Sequence, residues 1–554
     1  MPLRRAASNV LSRMAFALEI LEGPTPRART YGAASRTVFQ LEGDLAELRR
    51  SGALDRVRGL GPSCLAVIDD VIAGREPAEL KELEARIPEG LFAFRRIKGL
   101  GPAKIRALYE GLGVTTLGEL EHACKENRLV TLPGFGDKTQ ANVLAGVQAE
   151  RRHEGMHLRD AALEMARELI ARVAAGARHA IVGDLATGAE LVTDIAVLVE
   201  GEGAPREQIV LGEGAQGVVV RATADRFGVA HVRETSDAAH LSALRARATE
   251  LGLSLDDERL ARGALTIPVP SDEALYDALE LCPVPVEARR EGTVLARRGT
   301  AVRELVSRGA LRGALHNHTL ASDGVATLVE MREAAMAWGL SYLGISEHSQ
   351  SADYARGLTR ERIAAQVAEI AAMNAEGTRC TLLTGVESDI LIDGALDYPF
   401  EVLAPLEVVI ASSHRRFSLD RERSTARMVR AASWPRTDVL GHPTGRLLLG
   451  RPPLDLDLEA LLAACAAHGC AVELNGSAHR LDFGARELAM AKERGILVSI
   501  AADAHATGEI AEHLDHGLAV ARRAGLTPED VLNTRTLPEL RAWLGARRAK
   551  AAEA

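Results

Sequence analysis

From Gly313 to the C-terminus, short apolar runs alternate with helical stretches, and the runs end on histidines and carboxylates. Ala314-Leu315 leads to His316 and His318. Tyr342–Ile345 leads to Glu347-His348, and Thr381–Leu383 to Glu387. Val408–Ala411 leads to His414, Val439-Leu440 to His442, and Ile496–Ile500 to Asp503 and His505. This alternation favours a parallel β/α arrangement, and in a β/α barrel the reactive groups gather at the C-terminal ends of strands. Residues two apart on an extended strand point to one side. His316 with His318, and Asp503 with His505, could therefore each grip one metal region. Such donors suit zinc, manganese or iron. Any one of these histidines alone is more simply a hydrogen-bonded core or surface residue. Their common place at strand ends, in six successive units, is not explained that way.

The 554 residues are enough for about three or four domains. Hydrophobic content of 47% and charged content of 26% are ordinary for a soluble globular protein, whereas aromatics, at 3%, leave Leu, Val, Ile and Ala to fill the cores. The six cysteines form no CxxC pair, which excludes a disulfide framework or sulfur-based zinc finger. No run approaches the ~18 apolar residues of a membrane span, and no signal peptide is apparent. A reducing cytoplasm is the expected compartment. Net charge is −9. Residues 1–150 carry about 21 basic and 19 acidic side chains, roughly +2, leaving about −11 for the rest. Any DNA contact is therefore expected near the N-terminus.

Residues 1–150 read as helical, with apolar residues at helical spacing in Ser8–Leu21 and Leu65–Ile72. Three turns interrupt them: Gly59-Leu60-Gly61, Gly99-Leu100-Gly101 and Gly134-Phe135-Gly136. Each precedes a helical pattern, the form of a helix-hairpin-helix element. Its glycines let the backbone approach a phosphate, and the next helix offers free N–H groups. Lys104 and Lys138 follow the second and third turns. Such turns can simply connect helices; three in a row favour DNA binding through Gly99, Gly101, Lys104, Gly134, Gly136 and Lys138. Residues 151–300 read as α+β. A helix over Asp160–Ala175 precedes strand-like segments at His179–Val182, Ile195–Val199, Gln208–Leu211, Gly217–Ala222 and Val229–Arg233. Residues 296–309 are charged and read as a helical connection.

His316-Asn317-His318-Thr319 with Ser322-Asp323-Gly324, Glu347-His348-Ser349, Thr384-Gly385-Val386-Glu387, Ser412-Ser413-His414, Gly441-His442-Pro443 and Ala502-Asp503-Ala504-His505 resemble the motifs of the polymerase-and-histidinol-phosphatase (PHP) family. The resemblance runs from Gly313 to the end. It implies a distorted seven-stranded β/α barrel with three divalent metal ions. His316, His318, Glu387 and Asp503 would hold the first. Glu387 would bridge to a second, with His414 and His442, while Asp323, His348 and His505 would hold the third. The family has Asp where Ala314 and Glu347 stand. Glu387 and His414 on the metals, with Arg446 and Arg480 on the phosphate, are the expected catalytic residues. Arg451 is a further candidate clamp.

The rest of the chain resembles bacterial family X DNA polymerases that carry a C-terminal PHP domain. Arg96-Ile97-Lys98-Gly99-Leu100-Gly101-Pro102 and Leu132-Pro133-Gly134-Phe135-Gly136-Asp137-Lys138-Thr139 carry that likeness. The middle region would be the nucleotidyltransferase palm. Palm chemistry needs three carboxylates for two magnesium ions. Asp194 is kept, Ala196 replaces the second, and Val219 aligns with the third, with Asp225 nearby. The basic pair expected after Gly183 is missing. No magnesium pair and no polymerase activity are therefore expected. Val67 stands where related proteins carry a lyase lysine, and Ser63 where a lysine often follows the first hairpin.

The expected division is a lyase-like domain over 1–80, hairpins over 81–150, a degenerate palm and thumb over 151–305, and the barrel over 306–554. The expected function is metal-dependent hydrolysis of DNA, a 3′–5′ exonuclease or 3′-end-processing activity in repair. The protein is expected to be monomeric and nucleoid-associated, acting on gapped, nicked or 3′-ended DNA and not at a membrane. The alternatives are a small-molecule phosphomonoesterase and a non-catalytic DNA-binding protein.

Overall fold

Proline and paired glycines set the helix starts of the N-terminal region. The computed structural model describes residues 2–41, 43–88, 90–152, 155–174, 176–211, 215–293, 295–415 and 419–553. Two compact units result, Met1–Glu154 and Gly155–Ala554. In the first, helix Pro2–Glu22 buries Ala7, Leu11, Met14 and Leu18, a stripe of helical period. One core runs from Ala7 to Val147. Gly59, Gly99 and Gly134 hold φ of 98°, 89° and 83°, where a Cβ would be strained. Gly61 and Gly101 then cap helices Pro62–Ile72 and Pro102–Leu112 with no side-chain hydrogen bond to their first-turn N–H groups.

The second unit carries near its start the short strand pair His157–Leu158 and Leu191–Val192, helix Arg159–Val173 and a four-stranded sheet. The strands of that sheet are β1 (His179–Val182), β2 (Ile195–Glu200), β3 (Arg206–Val210) and β4 (Gln216–Ala222), in the order β1-β2-β4-β3. Two expectations fail here. Val229–Arg233 is not a strand but lies in helix Phe227–Glu234. Phe227 and Ala230 pack in one core and Val229 and Val232 in another, so the spacing of three prevails over apparent alternation. The segment 296–309 is not an α-helix; it turns at Arg298–Thr300 and then runs without regular structure to the 3-10 turn Arg308–Ala310. Its backbone is used elsewhere: Cys282 N–H donates to Ala296 O, Arg298 N–H to Glu280 O, and Val306 N–H to Leu526 O.

His240, 2% exposed, sits in this region with Nε2 2.9 Å from the Tyr276 hydroxyl. Burial, and then the Arg289 charge, push its imidazole down to about 4. The folded value lies below the ordinary 6.5, so the stability contributed is complete above about pH 6.5 and is lost as pH falls through about 4. Wild type is expected to lose about 2 kcal/mol more than His240→Gln between pH 7.5 and pH 5, read by urea unfolding.

The barrel has seven parallel strands in sequential order: β5 (Gly313–Ala314), β6 (Tyr342–Ile345), β7 (Thr381–Asp389), β8 (Val408–Ser412), β9 (Val439–Leu440), β10 (Ala471–Asn475) and β11 (Val498–Ala501). A parallel bridge between Asn317 and Ala504 brings the first and last strands together at their C-terminal ends. His318 N–H donates to Ala504 O and Asp503 N–H to His316 O. The closure thus places His316, His318 and Asp503 side by side.

Candidate metal centre

Glu387 lies within β7 rather than beyond its end, and is 1% exposed. Its Oε1 is 2.8 Å from His442 Nε2, 3.2 Å from His414 Nε2 and 3.4 Å from His316 Nε2. Its Oε2 is 2.8 Å from His348 Nδ1 and 3.7 Å from His318 Nε2. Asp503 Oδ1 stands 3.1 Å from His318 Nε2 and 3.5 Å from His316 Nε2. Asp323 lies 3.4 Å from His348 Nε2 and 3.3 Å from His505 Nε2. All nine residues singled out in the sequence therefore converge. They form three donor groups able to hold a metal: His316, His318 and Asp503; His348, Glu387 and His414; and His318, Asp323, His348 and His505. His442 joins through Glu387. His442 and Asp503 hold φ of 24° and 48°, backbone strain of the kind stored at functional sites.

The donor set fits divalent ions. His316 Nε2, His348 Nδ1 and Glu387 Oε2 are buried without a hydrogen-bond partner. His348 Nδ1 and Glu387 Oε2 are close but out of line with one another. Each unsatisfied buried group costs about 1–3 kcal/mol, which a cation at a shared focus would relieve. The titration of the groups also reflects a demand for positive charge. Burial disfavours the His348 and His505 imidazolium forms. Glu387 and Asp323 nonetheless lift His348 to about 10, and Asp323 and Asp503 lift His505 to about 9. Burial pushes His318 down to about 3, assisted by His505 and His348.

A second layer fixes these donors, and the sequence reading missed most of it. Glu473, fully buried on β10, accepts from His316 Nδ1 at 2.7 Å and from the His442 N–H at 3.2 Å. Asp389 contacts His414 Nδ1 at 2.5 Å. Asn475 Nδ2 donates to Asp503 Oδ2 at 2.8 Å and to Glu473 Oε1 at 2.9 Å. Carboxylates behind imidazoles fix the tautomer and ring orientation of a ligand. Glu473 stands out in the sequence only as a charge in an apolar run, a signal that names no partner. Glu347 accepts from Thr319 N–H at 3.0 Å and from the Thr319 and Ser322 hydroxyls. It thereby ties the His318 turn to the Asp323 turn. Ala314 packs in the barrel core.

The arginines divide. Arg480 Nε is 3.7 Å from Asp503 Oδ2 and faces the centre. Arg446 does not. Its Nε donates to Arg480 O at 2.9 Å, and its Nη2 contacts Leu481 O and lies 2.7 Å from Glu190 Oε2. Arg451 donates to Gly445 O. In the first unit, a Cβ at Gly99, Gly101, Gly134 or Gly136 would meet nothing within 4 Å. Lys104 Nζ reaches Gly99 O at 3.1 Å and stands 5.7 Å from the Phe135 ring, between the two turns, while Lys138 lies on helix Asp137–Arg152.

The sheet β1–β4 offers little to a metal pair. Asp194 Oδ1 accepts the Asp184 N–H at 2.9 Å, so this carboxylate caps a helical turn. Ala196 pairs in register with Val218, not Val219. Val219 packs on the opposite face with Val197, which corrects the alignment made from sequence. The reason is strand periodicity: a one-residue shift changes the face. Asp225 lies beyond the far end of β4 and accepts from Thr223 Oγ1.

Fold and site together define a PHP-type metal-dependent phosphoesterase barrel joined to helix-hairpin-helix elements. Residues 93–148 match the family described as a SAM-like helix-hairpin-helix tandem. The chain is 31% identical over 546 residues to the DNA polymerase/3′-5′ exonuclease PolX of Bacillus subtilis, covering 92% of this chain and 94% of that protein. It is 30% identical over 230 residues to a probable phosphatase of Thermoanaerobacter sp., covering 40% of this chain and 89% of that protein. A probable phosphatase of Vibrio parahaemolyticus is 29% identical over 239 residues, covering 40% of this chain and 88% of its own. The chain belongs to the bacterial family X DNA polymerases that carry a PHP domain. It is a hydrolase of the phosphoesterase type. Among the described residues, no helix is long and apolar enough to cross a membrane.

Proposed function

We propose that the barrel hydrolyses phosphodiesters at DNA 3′ ends, as an exonuclease or end-processing activity in repair, and that it is the only catalytic centre of the chain. The observation that carries this reading is Glu387, a fully buried carboxylate whose two oxygens meet five imidazoles. In this reading His316, His318, Glu387 and Asp503 hold one divalent ion, Glu387, His414 and His442 a second, and Asp323, His348 and His505 a third. Bound zinc, manganese or iron would lower the pKa of a shared water and neutralise charge on the phosphoryl oxygens. Glu473 and Asp389 keep His316 and His414 in the ligating tautomer, and Arg480 meets the phosphate. The turns Gly99–Gly101 and Gly134–Gly136, with Lys104 and Lys138, take DNA phosphates on helix N-termini. The tandem hairpins and the polymerase/exonuclease relative support DNA as substrate.

The palm does not polymerise in this reading. Ala196 and its neighbour Val218 supply no carboxylate, and Asp194 is spent on a helical cap. The lyase step is absent as well, since Val67 is 5% exposed in the core and has no nucleophile.

End-labelled gapped duplex incubated with the full chain and manganese should shorten from its 3′ ends. The double variant His316→Ala/Asp503→Ala should leave it intact. Digestion that survives in that variant would sink the proposal. The probable phosphatases among the relatives favour a second reading, a phosphomonoesterase that uses the N-terminal part only as scaffold. In that case DNA would not compete with p-nitrophenyl phosphate.

A further inference from the structure

The segment that joins β1 to β2 reaches out of the palm and into the barrel. Arg523 Nη1 donates to Thr187 O at 2.8 Å, and Arg159 Nη1 donates to Ala189 O at 2.9 Å. Glu190 follows, and its two oxygens have separate partners. Oε1 accepts the Ala485 N–H at 2.9 Å, at the start of helix Ala485–Glu493. The cap residue of that helix, Gly484, provides no side-chain hydrogen bond of its own. A Cβ on Gly484 would lie 2.3 Å from Glu190 Oε1, so glycine is what admits the carboxylate. Oε2 lies 2.7 Å from Arg446 Nη2, with the Glu190 side chain 26% and the Arg446 side chain 15% exposed.

Arg446 passes this anchorage on. Its guanidinium holds the carbonyls of Arg480 and Leu481. Arg480 is the arginine beside Asp503. The loop between β10 and helix Ala485–Glu493 is thus gripped at two points by one carboxylate, directly at Ala485 and through Arg446 at Arg480. A half-buried charge pair of this kind is worth little as bulk stability, but it fixes where a flexible arginine starts its reach.

We propose that Glu190, a residue of the degenerate palm, is a positioning residue of the phosphoesterase centre, acting through Arg446 to set Arg480 against the substrate phosphate. The palm part is then retained as a brace for the barrel. This rests on the reading above that Arg480 meets phosphate.

The test uses the full chain and bis-p-nitrophenyl phosphate with manganese, which removes DNA binding from the measurement. Glu190→Gln keeps an acceptor for Ala485 but loses the charge facing Arg446. KM should rise about tenfold, with kcat changed less than about twofold, the pattern of lost substrate binding. Arg446→Ala should do the same, and the double variant should be no worse than either single one, because both act along one path. Hydrogen exchange of chelator-treated protein gives a readout without metal or activity. Deuterium uptake over residues 476–490 should rise in Glu190→Gln while uptake over the other barrel strands stays as in wild type. Unchanged KM together with unchanged exchange in Glu190→Gln would overturn the brace while leaving the functional reading intact. Additive losses in the double variant would overturn it as well. Unchanged KM in Arg480→Ala would overturn it through the functional reading instead.

Discussion

Glu387→Gln is expected to abolish phosphoester hydrolysis while the barrel still folds. The change is one oxygen for one amide, so packing is nearly conserved. The charge is not. Glu387 is fully buried, and His414, His316 and His348 hold its carboxylate well below the usual range against the opposing effect of burial. An amide removes the anion that these rings surround and points an N–H at nitrogen atoms. Removing one partner of a buried charge assembly costs about 3–5 kcal/mol. Borne by the reacting geometry, that is roughly a hundred- to several-thousandfold in rate. The measurement is kcat/KM on bis-p-nitrophenyl phosphate, with circular dichroism to confirm the fold. A variant within tenfold of wild type would show that Glu387 is not central.

The second large effect is expected at Glu473, a residue that no motif marks. Its Oε2 fixes His316 through Nδ1, and its Oε1 accepts the backbone N–H of His442 and the amide of Asn475. One carboxylate thus orients two of the imidazoles around Glu387 and, through Asn475, touches Asp503. Losing such an outer partner typically costs ten- to a hundredfold in metal affinity. Glu473→Ala also leaves three buried donors unpaired, so the fold should weaken by some 2–4 kcal/mol. Glu473→Gln separates these effects: it keeps an acceptor but cannot take charge from His316. Metal retention, followed by competition with a colorimetric chelator, should fall about ten- to a hundredfold in Glu473→Gln. Retention equal to wild type would place Glu473 outside the metal chemistry.

The contrast between Glu387 and Glu473 shows what could be read in the sequence. Histidines at the ends of apolar runs stand out because imidazole is rare there, and their common position is a property of strand order alone. The parallel β/α arrangement followed from that pattern, whereas the seven strands and the full set of nine, Asp323 included, came from the resemblance to the PHP family. Glu473 did not, because a lone carboxylate within Ala471–Asn475 has no partner visible in sequence; His316, its partner, is 157 residues away. Arg446 shows the converse. Its place just past His442 suggested a phosphate clamp, but its guanidinium is held by carbonyls and by Glu190, a contact that no local pattern encodes. Val229–Arg233 read as a strand because a short apolar run carries no firm period. Val219 was placed on the wrong face because an alignment of valines fixes register no better than one residue.

Metal stoichiometry tests the central claim most directly. Elemental analysis of the purified chain after gel filtration should give about three divalent ions per molecule, one for each proposed ligand set. The same sample should lose hydrolysis on chelation and regain it when manganese is added back. Glu387→Gln should lose metal and hydrolysis together. A wild-type chain that carries no divalent metal after chelation and still hydrolyses phosphodiesters at its full rate would contradict the claim.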